Sequence, residues 1–278
     1  MKKTIFGRLQ VLFSILVIAV LIATTTAPTH AAAIPNSMAA LGDSITQAYN
    51  SRSFLASSPT YSWSTGSTST VNSLYVRFLA QNPAISGKNY NYSVVGAKMS
   101  GLSTQASKVT ATTEYVTILI GANDVCTSSE STMTTVDTFR SQLTTAMNTL
   151  KARAPNARVY VVSIPNIYNL WYVLKGNSSA RLRWALYSIC QSMLKNPTST
   201  TKTDTDRRLR VAARNVAFNT VLAEVCTAYG PNCSYDNNAV YNTSFLASDV
   251  STLDYFHPSV AGQSKLAAAA WAASGFVP

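Results

Sequence analysis

The stretch 36-NSMAALGDSITQAYN-50 runs a short apolar segment, Ser37–Leu41, straight into Gly42-Asp43-Ser44. A buried strand that stops on a glycine and then presents an acid and a hydroxyl reads as a tight turn at a sheet edge. The same grammar returns at 115-YVTILIGANDVC-126, where Tyr115–Ile120 is β-branched and continuous before Gly121. Continuous rather than alternating apolar runs mark strands covered on both faces, the habit of parallel sheets. Tyr90–Val95 and Arg158–Ile164 read as two further strands. Helical spacing occupies Val71–Gln81, Thr134–Arg153, Asp206–Tyr229 and Ser259–Ala273, with Pro155 closing the second and Pro258 at the mouth of the last. Strand and helix alternate, which predicts an α/β protein: a three-layer α/β/α sandwich around a mainly parallel sheet. Sites in such folds gather beyond the carboxyl ends of strands, where Gly42–Ser44 and Gly121–Asp124 both fall.

The ends of the chain bound the rest. Lys2, Lys3 and Arg8 precede an apolar run from Val11 to Ala23, and small residues follow to Ala33. That order predicts a cleaved secretory signal peptide over 1–33, since the run falls short of the ~20 residues that span a bilayer. Residues 34–278 then form a single domain, of normal size for one α/β core. Removing 1–33, which holds three basic residues and no acid, lowers the formal charge from +11 to +8. Nine basic residues lie between Lys175 and Arg214, against Asp204 and Asp206. They fall in helix-like segments and are read as a solvated face with a weak attraction to anionic surfaces, not as a nucleic-acid site. An exported chain with four cysteines favours disulfides. Cys226 and Cys233 flank a Gly-Pro turn and suit a local bridge, leaving Cys126 with Cys190. A four-cysteine zinc site lacks the paired Cys-x-x-Cys spacing, so no metal and no cofactor is expected.

Of the two histidines, His30 lies in the leader, so only His257 remains to serve as a base. Imidazole is the usual partner for a hydroxyl nucleophile near neutral pH. In 253-LDYFHPSVAGQ-263, Asp254 stands three residues ahead of His257, close enough to accept its Nδ1–H and fix the tautomer. Asn123, on the turn after Gly121, carries an amide that can stabilise an oxyanion, and Gly96 in 91-NYSVVGAKMSGL-102 offers a bare backbone N–H. Each motif has a bland alternative: a helix cap for Asp254, a simple turn for Asn123, a strand terminator for Gly96.

Taken in order along the chain, Gly42-Asp43-Ser44, Gly96, Gly121-x-Asn123-Asp124 and Asp254-x-x-His257 resemble the SGNH hydrolases, the GDSL lipase/esterase family. The resemblance implies a flavodoxin-like sheet. It also implies a secreted carboxylic ester hydrolase with Ser44 as nucleophile, His257 as base and Asp254 as orienting acid. Ser44 N–H, Gly96 N–H and the Asn123 side chain would line the oxyanion hole. Isoleucine at 45 departs from the usual leucine, and Gly-x-Ser-x-Gly, the α/β-hydrolase elbow, is absent. Tyr168, Trp171 and Tyr172, with Trp63 in the long loop 57–73, are the expected walls of a pocket for a small-molecule or lipid ester. "SWSTG" at 62–66 also resembles the phospholipase B-like branch. Carbohydrate acetyl-ester hydrolysis and non-catalytic glycan or lipid binding on the same fold are the alternatives. A monomer is expected.

Overall fold

The computed structural model describes Met1 and residues 33–276, so the leader proposed for 1–33 falls almost wholly outside the described residues. Five strands, β1 (Met38–Gly42), β2 (Asn89–Asn91), β3 (Tyr115–Leu119), β4 (Arg158–Val161) and β5 (Cys233–Tyr235), form one sheet in the order 2-1-3-4-5. Every adjacent pair is parallel. This is the flavodoxin-like winding, with its crevice where the strand order reverses at β1 and β3. All five residues of β1 and all five of β3 are buried, which is why both read as uninterrupted apolar runs.

Helices cover both faces. Side chains alternate along a strand, so Tyr115 and Thr117 of β3 share a face with Tyr160 of β4. On that face lie α1 (Leu74–Gln81) and α9 (Val260–Ala272): the Phe78 ring meets Tyr115 edge-on at 5.2 Å, and Tyr160 Oη donates to the Ala270 carbonyl at 2.7 Å. The opposite layer holds α2 (Leu102–Ala106), α4 (Val136–Arg153) and α8 (Lys202–Tyr229), packed on one another. Four short helices lie near the carboxyl ends of the strands: α3 (Ala122–Val125), α5 (Ile167–Leu174), α6 (Ser178–Leu186) and α7 (Gln191–Leu194). Among the described residues no helix is long and apolar enough to cross a membrane.

Several expectations change. Strands β2 and β4 end earlier than their apolar runs, at Asn91 and Val161, although Tyr92, Val94 and Val162 still donate to the neighbouring strand. Helix α8 begins at Lys202, because the Thr201 hydroxyl caps it by accepting Asp204 N–H. The middle of the loop 57–73, residues 62–66, is buried. Trp63 is wholly buried, with its Nε1–H on Thr46 Oγ1, and Ser64 Oγ meets Thr117 Oγ1 at 2.7 Å.

Two arginines of α8, Arg207 and Arg208, turn inward, while Arg210 stays on the solvated face. Arg208 is 2 % exposed and donates to the Ser199 carbonyl, Arg207 donates to the carbonyls of Ser192 and Lys195, and Arg210 pairs with Glu130. They tie the 190–200 segment and the turn at Glu130 to the helix. Disulfides join Cys126 to Cys190 and Cys226 to Cys233, the second linking the end of α8 to β5.

Candidate active site

The site begins with two glycines at the ends of neighbouring strands: Gly42 closes β1 opposite Leu119, and Gly121 lies two residues past the end of β3. Neither has room for a side chain. A Cβ on Gly42 would lie 2.4 Å from the Leu119 carbonyl oxygen, and one on Gly121 would lie 2.5 Å from Ile164 Cδ1. The chain therefore turns tightly at both points. Gln105 holds the first turn from α2: its Oε1 accepts Gly42 N–H and its Nε2 donates to the Gly42 carbonyl, each at 2.8 Å. Gln263 of α9 holds the far side, donating to the Ile45 carbonyl at 2.8 Å and accepting Trp63 N–H at 2.9 Å.

Ser44 sits just past this turn, 5 % exposed. Its Oγ lies 2.8 Å from His257 Nε2, although 213 residues separate them. His257 Nδ1 lies 2.6 Å from Asp254 Oδ2. The carboxylate takes the Nδ1–H, which leaves Nε2 as the acceptor facing the serine hydroxyl. Asp254 is itself fixed: its Oδ1 accepts Phe256 N–H and His257 N–H at 2.9 and 3.0 Å. Asn50 Nδ2 donates to Oδ2 at 2.5 Å. Burial pushes the Asp254 carboxyl up, but the bonds and charge from His257, with the Asn50 amide, outweigh it and hold the group below the usual range. Tyr49 and Phe256 meet the imidazole edge-on, at 5.2 and 5.0 Å between centroids.

Asn123, on α3, is tied by an Nδ2–H to the Ala97 carbonyl at 3.0 Å, which brings it beside Gly96. An amide has two N–H donors, and this bond uses one. Gly96 is exposed, with φ +76°. Beneath Asn123, Asp124 is buried and accepts from Met99 N–H and Thr134 Oγ1 at 2.8 and 2.7 Å. Burial raises its pKa, partly offset by those bonds. Asp43 is also buried. Its Oδ1 accepts Ile45 N–H at 2.9 Å, but its Oδ2 has no protein partner. Burial pushes its pKa up to about 7.

A cleft opens at Ser44, Asn123 and His257, lined by Ile45, Ile167, Leu170, Val173, Phe245 and Pro258. The aromatic residues expected there lie elsewhere. Trp63 is in the core. On α5 the residues at 167, 170 and 173 share the cleft face at helical spacing, which turns 168, 171 and 172 away. Trp171 instead packs against the cations of Lys175 and Arg208, each 4.5 Å from its ring centre, and Tyr168 lines the same separate pocket. Tyr172 is exposed. Asn50, Gln105 and Gln263 are the residues that sequence reading misses. Each acts across 60 or more positions, and no local pattern marks it.

The model of the GDSL-like lipase/acylhydrolase family matches residues 38–270. The chain belongs to this family. Among curated proteins it is similar to membrane-associated phospholipase B1 of Rattus norvegicus, 27% identical over 161 residues. The match takes in 48% of this chain and 11% of that protein, so the chain spans a small part of its relative's length. Among solved structures it is similar to an extracellular lipase from Streptomyces rimosus, with 18% identity and a TM-score of 0.46 over 82% of this chain and 95% of that one. It is also similar to an acetylxylan esterase from Geobacillus stearothermophilus, with 17% identity and a TM-score of 0.49 over 87% and 94%. Within the GDSL-like match fall Gly42–Ser44, Gly121–Asp124 and Asp254–His257, the stretches that carry the geometry above.

Proposed function

We propose that this GDSL-like protein is an exported serine hydrolase of carboxylic esters. One observation carries the reading: the unbroken relay from Ser44 Oγ to His257 Nε2 at 2.8 Å and from Nδ1 to Asp254 at 2.6 Å. In this reading His257 takes the Ser44 proton as Oγ attacks the acyl carbon, and Asp254 steadies the imidazolium. Ser44 N–H, Gly96 N–H and the second N–H of Asn123 face the developing oxyanion, a donor of this kind being worth ~3–4 kcal/mol of barrier. His257 then passes its proton to the leaving alcohol, and water releases the acyl group by the reverse path.

The apolar lining from Ile45, Ile167, Leu170, Val173 and Phe245 favours an aliphatic acyl chain over acetate, and so a lipid-like ester over an acetylated sugar. Export, with a leader over 1–33 removed from a single domain over 34–278, accords with two disulfides and no free cysteine. The protein works as a monomer in this reading.

The test is hydrolysis of p-nitrophenyl esters from acetate to palmitate by wild type and Ser44→Ala. The wild type turns over, with its best chain longer than acetate, and the variant loses at least ~10³-fold in kcat/KM. Equal rates for the two proteins would remove Ser44 from the chemistry.

A further inference from the structure

A second apolar cleft meets the first at His257. Its walls are Tyr49, Phe54, Leu55, Tyr187, Ile189 and Phe256, with the Cys126–Cys190 disulfide beside them. The two clefts share only Asn123, Phe256 and His257. Ser44 belongs to the first alone, and Asp254 to the second alone.

That division has a chemical meaning if Ser44 is the nucleophile, on which this inference rests. When Ser44 Oγ bonds the acyl carbon, the bond from that carbon to the alcohol oxygen breaks. The proton first taken from Ser44 passes from His257 Nε2 to the departing oxygen, which leaves as a neutral alcohol. The acyl half thus stays in the cleft that contains the serine. The alcohol half departs on the side that contains the histidine without the serine. We infer that the second cleft binds the alcohol half of the ester, and that this alcohol is a long aliphatic or aromatic one.

The two side chains at the base of this cleft, Asn50 and Asp254, are already engaged with each other and with the backbone. Asn50 donates to Asp254 and its Oδ1 accepts Leu55 N–H at 2.5 Å, while Asp254 takes the amides of Phe256 and His257. A sugar or another polyol would find few partners here, whereas an alkyl or aryl group needs none. The lip is built from exposed apolar side chains. Phe54 and Tyr187 stand 6.0 Å apart between centroids, and Leu55 is 65% exposed. Leu55 also holds φ +53°, a conformation that a bulky residue rarely adopts. It is kept there by Asn50, the same side chain that braces Asp254, so the lip and the relay share one support.

The experiment holds the acyl group constant and varies the alcohol: methyl, hexyl and 2-naphthyl butyrate, with wild type, Leu55→Ser and Tyr187→Ala. Both substitutions are at exposed positions, and each variant's unfolding is measured alongside. The expected result is a wild-type kcat/KM for hexyl and naphthyl esters above that for the methyl ester. The hexyl-to-methyl ratio then falls about tenfold in the variants, as expected when several methylenes lose their wall. Leu170→Ser, on the acyl side, is the control and leaves the hexyl-to-methyl ratio in place. A Ser44-dependent hydrolase whose alcohol ratio ignores Leu55 and Tyr187, or which prefers methyl esters, overturns this inference and spares the parent reading. Methyl butyrate hydrolysis undiminished by Ser44→Ala overturns the parent reading instead.

Discussion

The turns after β1 and β3 are built alike and finished differently. Both close a fully buried strand on a glycine without room for a Cβ, and both place a buried aspartate in the turn. After β3, each oxygen of Asp124 has a donor, one from Met99 N–H and one from Thr134 Oγ1. After β1, Asp43 has a donor for only one oxygen, and the other is buried without a protein partner. The β3 turn is therefore a satisfied platform under Asn123. The β1 turn, directly under Ser44, carries an uncompensated polar group in the interior. Native structures leave few such groups, and a position beside a candidate nucleophile is where one is least surprising.

The glycines allow the sharpest break in this comparison. A Cβ on Gly42 meets the Leu119 backbone, which can yield only by separating β1 from β3, whereas a Cβ on Gly121 meets the tips of Ile164 and Phe139. Gly42→Ala is expected to cost roughly 3 kcal/mol or more, combining overpacking with an unfavourable backbone angle. Gly121→Ala also carries a backbone-angle cost, at φ +121°, but is expected to cost less, about 2 kcal/mol, since the side-chain ends it meets can shift. Urea unfolding of both variants measures the difference. If Gly121→Ala proves the worse, the two turns are not constrained as described.

Next in size is the loss of the platform itself. Asp124→Ala strips partners from Met99 N–H and Thr134 Oγ1 and leaves a buried amide without an acceptor. A cost of about 2 kcal/mol follows, to be read from the denaturation midpoint. A variant as stable as the wild type would show that Asp124 does not brace the β3 turn.

How far the sequence discloses this arrangement depends on the range of the forces involved. Strands β1 and β3 are legible because burial on both faces leaves only apolar residues, and the glycines are legible because no other residue fits. Strand β5 is not legible: Cys233–Tyr235 is an edge strand whose pairing comes from β4 and from its disulfide to α8, not from any local pattern. Gln105 looks like any helical glutamine until the fold brings it to both polar groups of Gly42. Asn50 reaches Asp254 across 204 positions. The α5 aromatics mislead for the opposite reason. Their size suggests a pocket, while helical spacing turns the smaller Ile167, Leu170 and Val173 toward it.

The smallest expected effect, taken per pH unit, is the most diagnostic of the contrast between the turns. In the folded protein Asp43 has a pKa raised by burial to about 7, against 3.8 as its ordinary value. Between those two values the unfolded chain has lost the proton that the folded chain keeps, so stability falls as pH rises through the interval and levels off above it. Asparagine has the shape of the neutral acid and keeps the carbonyl that Ile45 N–H needs, but it does not titrate. Asp43→Asn should therefore differ least from the wild type near pH 4. It should gain on it by about 1.4 kcal/mol per pH unit between pH 4.5 and 6.5, read from paired urea unfolding curves. Parallel pH profiles for the two proteins would mean that Asp43 is ionised in the fold like an ordinary carboxylate. The β1 turn would then be as well satisfied as its neighbour.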